Sequence, residues 1–150
     1  MKLLSFYKWI AGPMTDFVNQ FRNNVALYKQ ARTYWDKLES SSSIILIIFL
    51  VLGISLAVFY YQPYNNRPGR HYTPKHWFIF LAITFVLTLF VTWGFEYFAV
   101  PPKLDGTTVL QIKIALGNAI YASLLYFFVS FIWCIALPTN AYRIFKIFKS

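Results

Sequence analysis

Three stretches without a single charged side chain constrain this sequence more than anything else in it. Residues 44–61 read IILIIFLVLGISLAVFYY, residues 77–95 read WFIFLAITFVLTLFVTWGF, and residues 114–137 read IALGNAIYASLLYFFVSFIWCIAL. A helix rises 1.5 Å per residue and the hydrocarbon layer of a bilayer is about 30 Å thick, so each run is long enough to cross it. Only 13% of the chain is charged, against about 25% in an ordinary soluble domain. Too little polar surface is left to cover three such helices in water.

The expected fold is therefore an all-α integral membrane protein. Residues 1–43 form an amphipathic, interfacial helical segment, and 44–61 the first transmembrane helix. A loop covers 62–76, the second span 77–98, a second loop 99–112 and the third span 113–137, with a basic interfacial tail over 138–150. The start of the chain, MKLLSFYKWIAGPM, has only a short apolar patch interrupted by Tyr7, Lys8 and Trp9. It does not read as a cleavable signal peptide.

Within residues 1–43, Pro13 suits a helix start, with Thr15 and Asp16 in the first turn. From there Met14, Phe17, Phe21, Asn24, Tyr28, Ala31, Trp35 and Leu38 recur in steps of three and four. That spacing lines one side of a single helix over 13–39. The stripe is aromatic, so Phe17, Phe21, Tyr28, Trp35 and Leu38 are candidates for docking on the membrane surface, a partner or a sister chain. Ser40–Ser43 reads as a break whose serines cap the first span.

Inside the spans, Gly53 and Ala57 form a small-xxx-small pair that admits another backbone. Thr84, Thr88, Thr92 and Glu96 recur every fourth residue of the second span. Each step of four drifts about 40° around a helix, so the line winds through about 120° and reads better as a packing seam than as a pore lining. The third span sets Ala115, Asn118, Ala119, Ala122 and Ser123 on one side, opposite bulky Tyr121, Leu124, Phe128 and Phe131. Pro101, Pro102 and the Asp105–Gly106 turn make the second and third spans an antiparallel hairpin. Asn118 then lies level with Thr92, and Glu96 can pair with Lys113 at the rim. Arg143, Lys146 and Lys149, interleaved with apolar residues, read as a short basic helix on the membrane surface.

No catalytic, metal or cofactor constellation stands out. His71 and His76 lie five apart with no Cys, Asp or Glu nearby and read as solvated residues at headgroup level. Cys134 reads as a small buried residue of the third span. The net charge of +9 flanks membrane helices rather than marking a nucleic-acid surface. The expected partners are the lipid bilayer and other membrane subunits or further copies of the chain.

The functional expectation is a non-enzymatic subunit that anchors or scaffolds a larger membrane assembly of secretion, respiratory or defence type. The alternative is a homo-oligomeric pore or membrane-disrupting effector. The expected location is the bacterial inner membrane. Lys and Arg counts, eight on the side of the N-terminus against six on the other, give no firm orientation. A cytoplasmic N-terminus is expected because carrying a long basic segment across the membrane is the harder route.

Overall fold

The structure is a computed structural model that describes residues 3–65, 73–100, 104–137 and 143–145. It is all-helical among these residues. A 3₁₀ turn (Leu3–Tyr7) leads into α1 (Lys8–Ala11) and α2 (Met14–Asn19). Three long helices follow: α3 (Val25–Phe59), which ends in a π-helical turn (Tyr60–Tyr64), α4 (Pro74–Ala99) and α5 (Thr107–Ala136). All three are long and apolar enough to cross a membrane, and they contain the three uncharged runs.

The segment before the first span differs from the single helix expected over 13–39. Gly12, at φ +79°, separates α1 from α2, and Pro13 precedes the first residue of α2 as expected. Beyond Asn19 the chain turns, and α3 starts afresh. Asn24 is the reason: its side-chain oxygen accepts from the backbone N–H groups of Ala26 (3.0 Å) and Leu27 (3.2 Å). Asn is a strong N-cap and a poor interior residue, so it starts a helix rather than filling a stripe.

Ser40–Ser43 is likewise no break. The Ser40 hydroxyl donates to the Lys37 carbonyl and the Ser42 hydroxyl to that of Glu39. With their hydroxyls turned back on their own helix, the serines continue it instead of capping a new one. Counted with its π turn, the helix runs 40 residues from Val25 to Tyr64, about 60 Å. That is roughly twice the hydrocarbon thickness.

The chain divides into two compact units. The first comprises Met1–Ile48 and Leu89–Asn118, the second Phe49–Thr88 and Ala119–Ser150. In the first, α2 folds back on the start of α3. Phe17 lies 5.9 Å from Tyr34 and 6.0 Å from Trp35, ring centre to ring centre, and 5.7 Å from Phe21. Phe17, Trp35 and Leu38 are buried, and Phe21 and Tyr28 half-buried. The aromatic stripe is thus largely covered by the chain's own residues, while Lys29, Arg32, Asp36 and Lys37 face outward.

In the second unit, Ala57, Tyr60, Tyr61, Trp77, Phe80, Tyr126 and Cys134 make an aromatic core. Gly53 is indispensable there: a Cβ at this position would stand 2.9 Å from the Ala122 carbonyl oxygen and 3.2 Å from Leu125. The expected close approach is therefore made inside the chain at Gly53, against Ala122, while Ala57 is buried in the aromatic core. Residues 143–145 are not helical. Phe145 packs on Trp77, Phe127 and Phe131, and Arg143 is half-buried. Of the expected basic tail helix, Lys146 and Lys149 lie outside the described residues, as does His71.

Candidate functional site

The polar line of α4 is turned inward. Thr84, Thr88, Thr92 and Glu96 are all completely buried, as is Asn118. Their environments then diverge. Thr84 donates to the Phe80 carbonyl of its own helix at 2.8 Å, the back-bonding open to any helical threonine. The Thr88 hydroxyl is buried with no hydrogen-bond partner among the described residues.

Thr92 belongs to a network in the first unit. Asn118 Nδ2 donates to Thr92 Oγ1 at 2.7 Å and to the Ile45 carbonyl at 3.0 Å. Its Oδ1 accepts from the Tyr7 hydroxyl at 2.7 Å. One amide on α5 thus ties together α3, α4 and the N-terminal 3₁₀ turn. The Thr92–Asn118 pairing expected from equal depth is present. Next to Asn118, Gly117 lets the N-terminal segment approach: a Cβ there would lie 3.2 Å from both Ile10 and Tyr7.

About one turn along α4 sits Glu96. Neither carboxyl oxygen has a hydrogen-bond partner among the described residues. The expected pair with Lys113 does not form, because Glu96 is buried while Lys113 is exposed. Gln111 takes the inward place instead and donates to the Glu96 backbone carbonyl at 3.3 Å. The Tyr34 hydroxyl faces Gln111 and lies within electrostatic reach of Glu96. A buried carboxyl without a donor or counter-ion costs free energy, several kcal/mol if ionised. A buried acid in a helix apolar enough to cross a membrane is a candidate site.

The structure therefore gathers Thr92, Glu96 and Asn118 from the expected residues and adds Tyr7, Tyr34 and Gln111, which sequence reasoning missed. Gln111 could have been found. It precedes Asn118 by seven residues, and Ala115 and Ala122 share their face. Tyr7 carried no such signal. Gly53, Ala57 and Ala122 belong to the second unit's packing, and Thr84 to its α4 segment.

No protein-family model, no curated protein and no solved structure matches this chain. Among the described residues, no group of three or more His, Cys, Asp and Glu side chains is placed to hold a metal ion. What the arrangement offers chemically is hydrogen bonding and close packing, with one carboxyl at its edge that has no partner among the described residues.

Proposed function

We propose that this chain is a non-enzymatic membrane subunit that anchors or scaffolds a larger membrane assembly through helix–helix packing. One observation carries the reading: the whole polar line of α4, from Thr84 to Glu96, is buried within a single chain. A homo-oligomeric pore lined by it would need those side chains on the surface between copies. Facing outward instead are apolar residues such as Val86, Phe90 and Phe98 on α4, and Leu124, Phe128 and Ile132 on α5. Such faces meet lipid or another apolar helix.

The docking role foreseen for Phe17, Trp35 and Leu38 passes to these outward faces. Gly94 is the best-placed contact on α4, since a Cβ there would meet nothing within 4 Å. It offers a partner helix a close approach that this chain does not use itself. The assembly would be of secretion, respiratory or defence type in a bacterial inner membrane, with the N-terminus cytoplasmic.

Native mass spectrometry of the protein extracted in mild detergent tests the reading. Stoichiometric partner chains are expected, and Gly94→Leu should release them without lowering the melting temperature of the chain itself. A lone monomer, or ion leak through liposomes holding only this chain, would sink the proposal. Thiol labelling of Ser5→Cys and Ser150→Cys on intact cells fixes the orientation, with Cys134 silent because it is buried.

A further inference from the structure

Between the N-terminal segment and the start of α5 lies a cavity of about 410 Å³, and Trp9, Gly12, Asp16, Gln20, Gly106 and Lys113 are among its lining residues. The volume falls at the small end of the range for small-molecule sites, roughly 300–1,000 Å³. Asp16 and Lys113 bring opposite charges to this cavity, and no ion pair joins them. Among the described residues the Asp16 carboxylate has only a 3.5 Å contact from the neighbouring Thr15 hydroxyl.

The walls are fixed independently of these charges. Tyr7 donates to Asn118, and Tyr7 and Ile10 pack over Gly117, which clamps the segment leading into α1 onto α5. The turns on either side need glycine, since Gly12 and Gly106 have φ of +79° and +84°. Both turns lie beside polar tips: Cβ atoms at the two glycines would stand at ordinary contact distance, 3.9 Å from Asp16 Oδ2 and 3.8 Å from Gln20 Oε1.

The position is that of a membrane rim. Lys113 is the last charge before the uncharged run 114–137, and Trp9 and Val109, both in the lining, are 59% and 58% exposed. An exposed Trp beside an apolar residue at the end of a span is where headgroups lie.

We propose that this cavity binds the headgroup of an aminophospholipid. The Lys113 ammonium donates to the phosphodiester, and Asp16 accepts N–H bonds from the primary ammonium of the headgroup, with the Gln20 amide beside it. Such a headgroup carries one charge of each sign, and the cavity is lined by one side chain of each opposite sign. A trimethylammonium cannot donate to Asp16, a glycerol headgroup brings no cation, and a serine headgroup sets its own carboxylate near Asp16, so phosphatidylethanolamine is the lipid that best satisfies both side chains.

The experiment uses the full chain in detergent, titrated with phosphatidylethanolamine, phosphatidylcholine, phosphatidylglycerol or inorganic phosphate, and reads bound lipid by native mass spectrometry beside the melting temperature. Charge-assisted hydrogen bonds set the scale. Phosphatidylethanolamine should be retained about tenfold better than phosphatidylcholine. Asp16→Asn should erase that preference while leaving phosphatidylglycerol binding unchanged. Lys113→Gln should weaken both lipids. Both changed residues are exposed, so folding should persist. An unaltered preference in Asp16→Asn, or undiminished retention of both lipids in Lys113→Gln, overturns the proposal. So does a melting shift with inorganic phosphate equal to that with the lipid, which would make the site a phosphate site.

Discussion

The two compact units solve the same packing problem with different materials. In the first, helices meet through a buried amide that holds three partners at once, Tyr7, Thr92 and the Ile45 carbonyl. In the second they meet mainly through rings and small residues: Tyr60 and Phe80 at 5.3 Å, Trp77 and Tyr126 at 5.4 Å, Tyr61 and Trp133 stacked at 5.8 Å, with Gly53 seated against Ala122. In lipid the hydrophobic effect does not drive one helix onto another, so packing and hydrogen bonds must. An amide is directional and sets depth to within a residue. Rings fill volume and tolerate a shift. The first unit should therefore fail sharply when one residue is changed, and the second in proportion to the volume changed.

Asn118→Leu should give the largest effect. It removes three hydrogen bonds at once, each worth ~0.6 kcal/mol on average in membranes and up to ~1.7, among them the one from the Tyr7 hydroxyl. A loss of about 2–3 kcal/mol is expected in mixed-micelle unfolding. Hydrogen exchange should rise over residues 3–11, with the amides around Tyr126 and Ser130 unchanged. Equal loosening of both regions would erase the contrast between amide and ring packing.

Next comes a pair of glycines. Gly53→Ala puts a methyl 2.9 Å from the Ala122 carbonyl, an overpacking that costs about 1–3 kcal/mol. Gly94→Ala meets open space and should stabilise α4 by up to about 1 kcal/mol through helix propensity. Thermal melts of the two variants in one detergent should move in opposite directions. If Gly53→Ala is neutral, the second unit has more slack than its geometry implies.

These contrasts show what was legible before any coordinates. The spans were, because a charge inside hydrocarbon is too costly to be hidden. The Thr92–Asn118 bond was, because a proline-stopped hairpin fixes which residues share a depth. The error over Lys113 was avoidable. Five residues separate it from Asn118, about 140° around the helix, whereas Gln111 at seven residues lies within about 20°. Helical geometry alone places the amide inward and the ammonium outward. The break at Asn24 was also readable, since a capping residue outranks a slot in an aromatic stripe. Tyr7 was not. It meets Asn118 across 111 positions of sequence, and no local periodicity encodes such a contact.

The smallest predicted effect separates the two materials most finely, because it compares one hydrogen bond from each unit. Trp77 Nε1 donates to Ser130 Oγ at 3.1 Å, and Asn118 Nδ2 to Thr92 Oγ1 at 2.7 Å. Trp77→Phe removes the N–H together with its ring nitrogen, and Ser130 can turn its hydroxyl to a carbonyl one turn back. Nothing is left stranded, so a double-mutant cycle over Trp77 and Ser130 should give a coupling near ~0.6 kcal/mol. Thr92→Ala leaves an amide proton on Asn118 that cannot rotate away, because Tyr7 and the Ile45 carbonyl hold the other atoms of that group. The Thr92–Asn118 cycle should therefore approach the upper end, ~1.7 kcal/mol. The excess measures what the neighbouring bonds add by denying the amide any alternative. Equal couplings would mean that Asn118 is free to re-aim, and that the N-terminal turn is held by Gly117 packing instead.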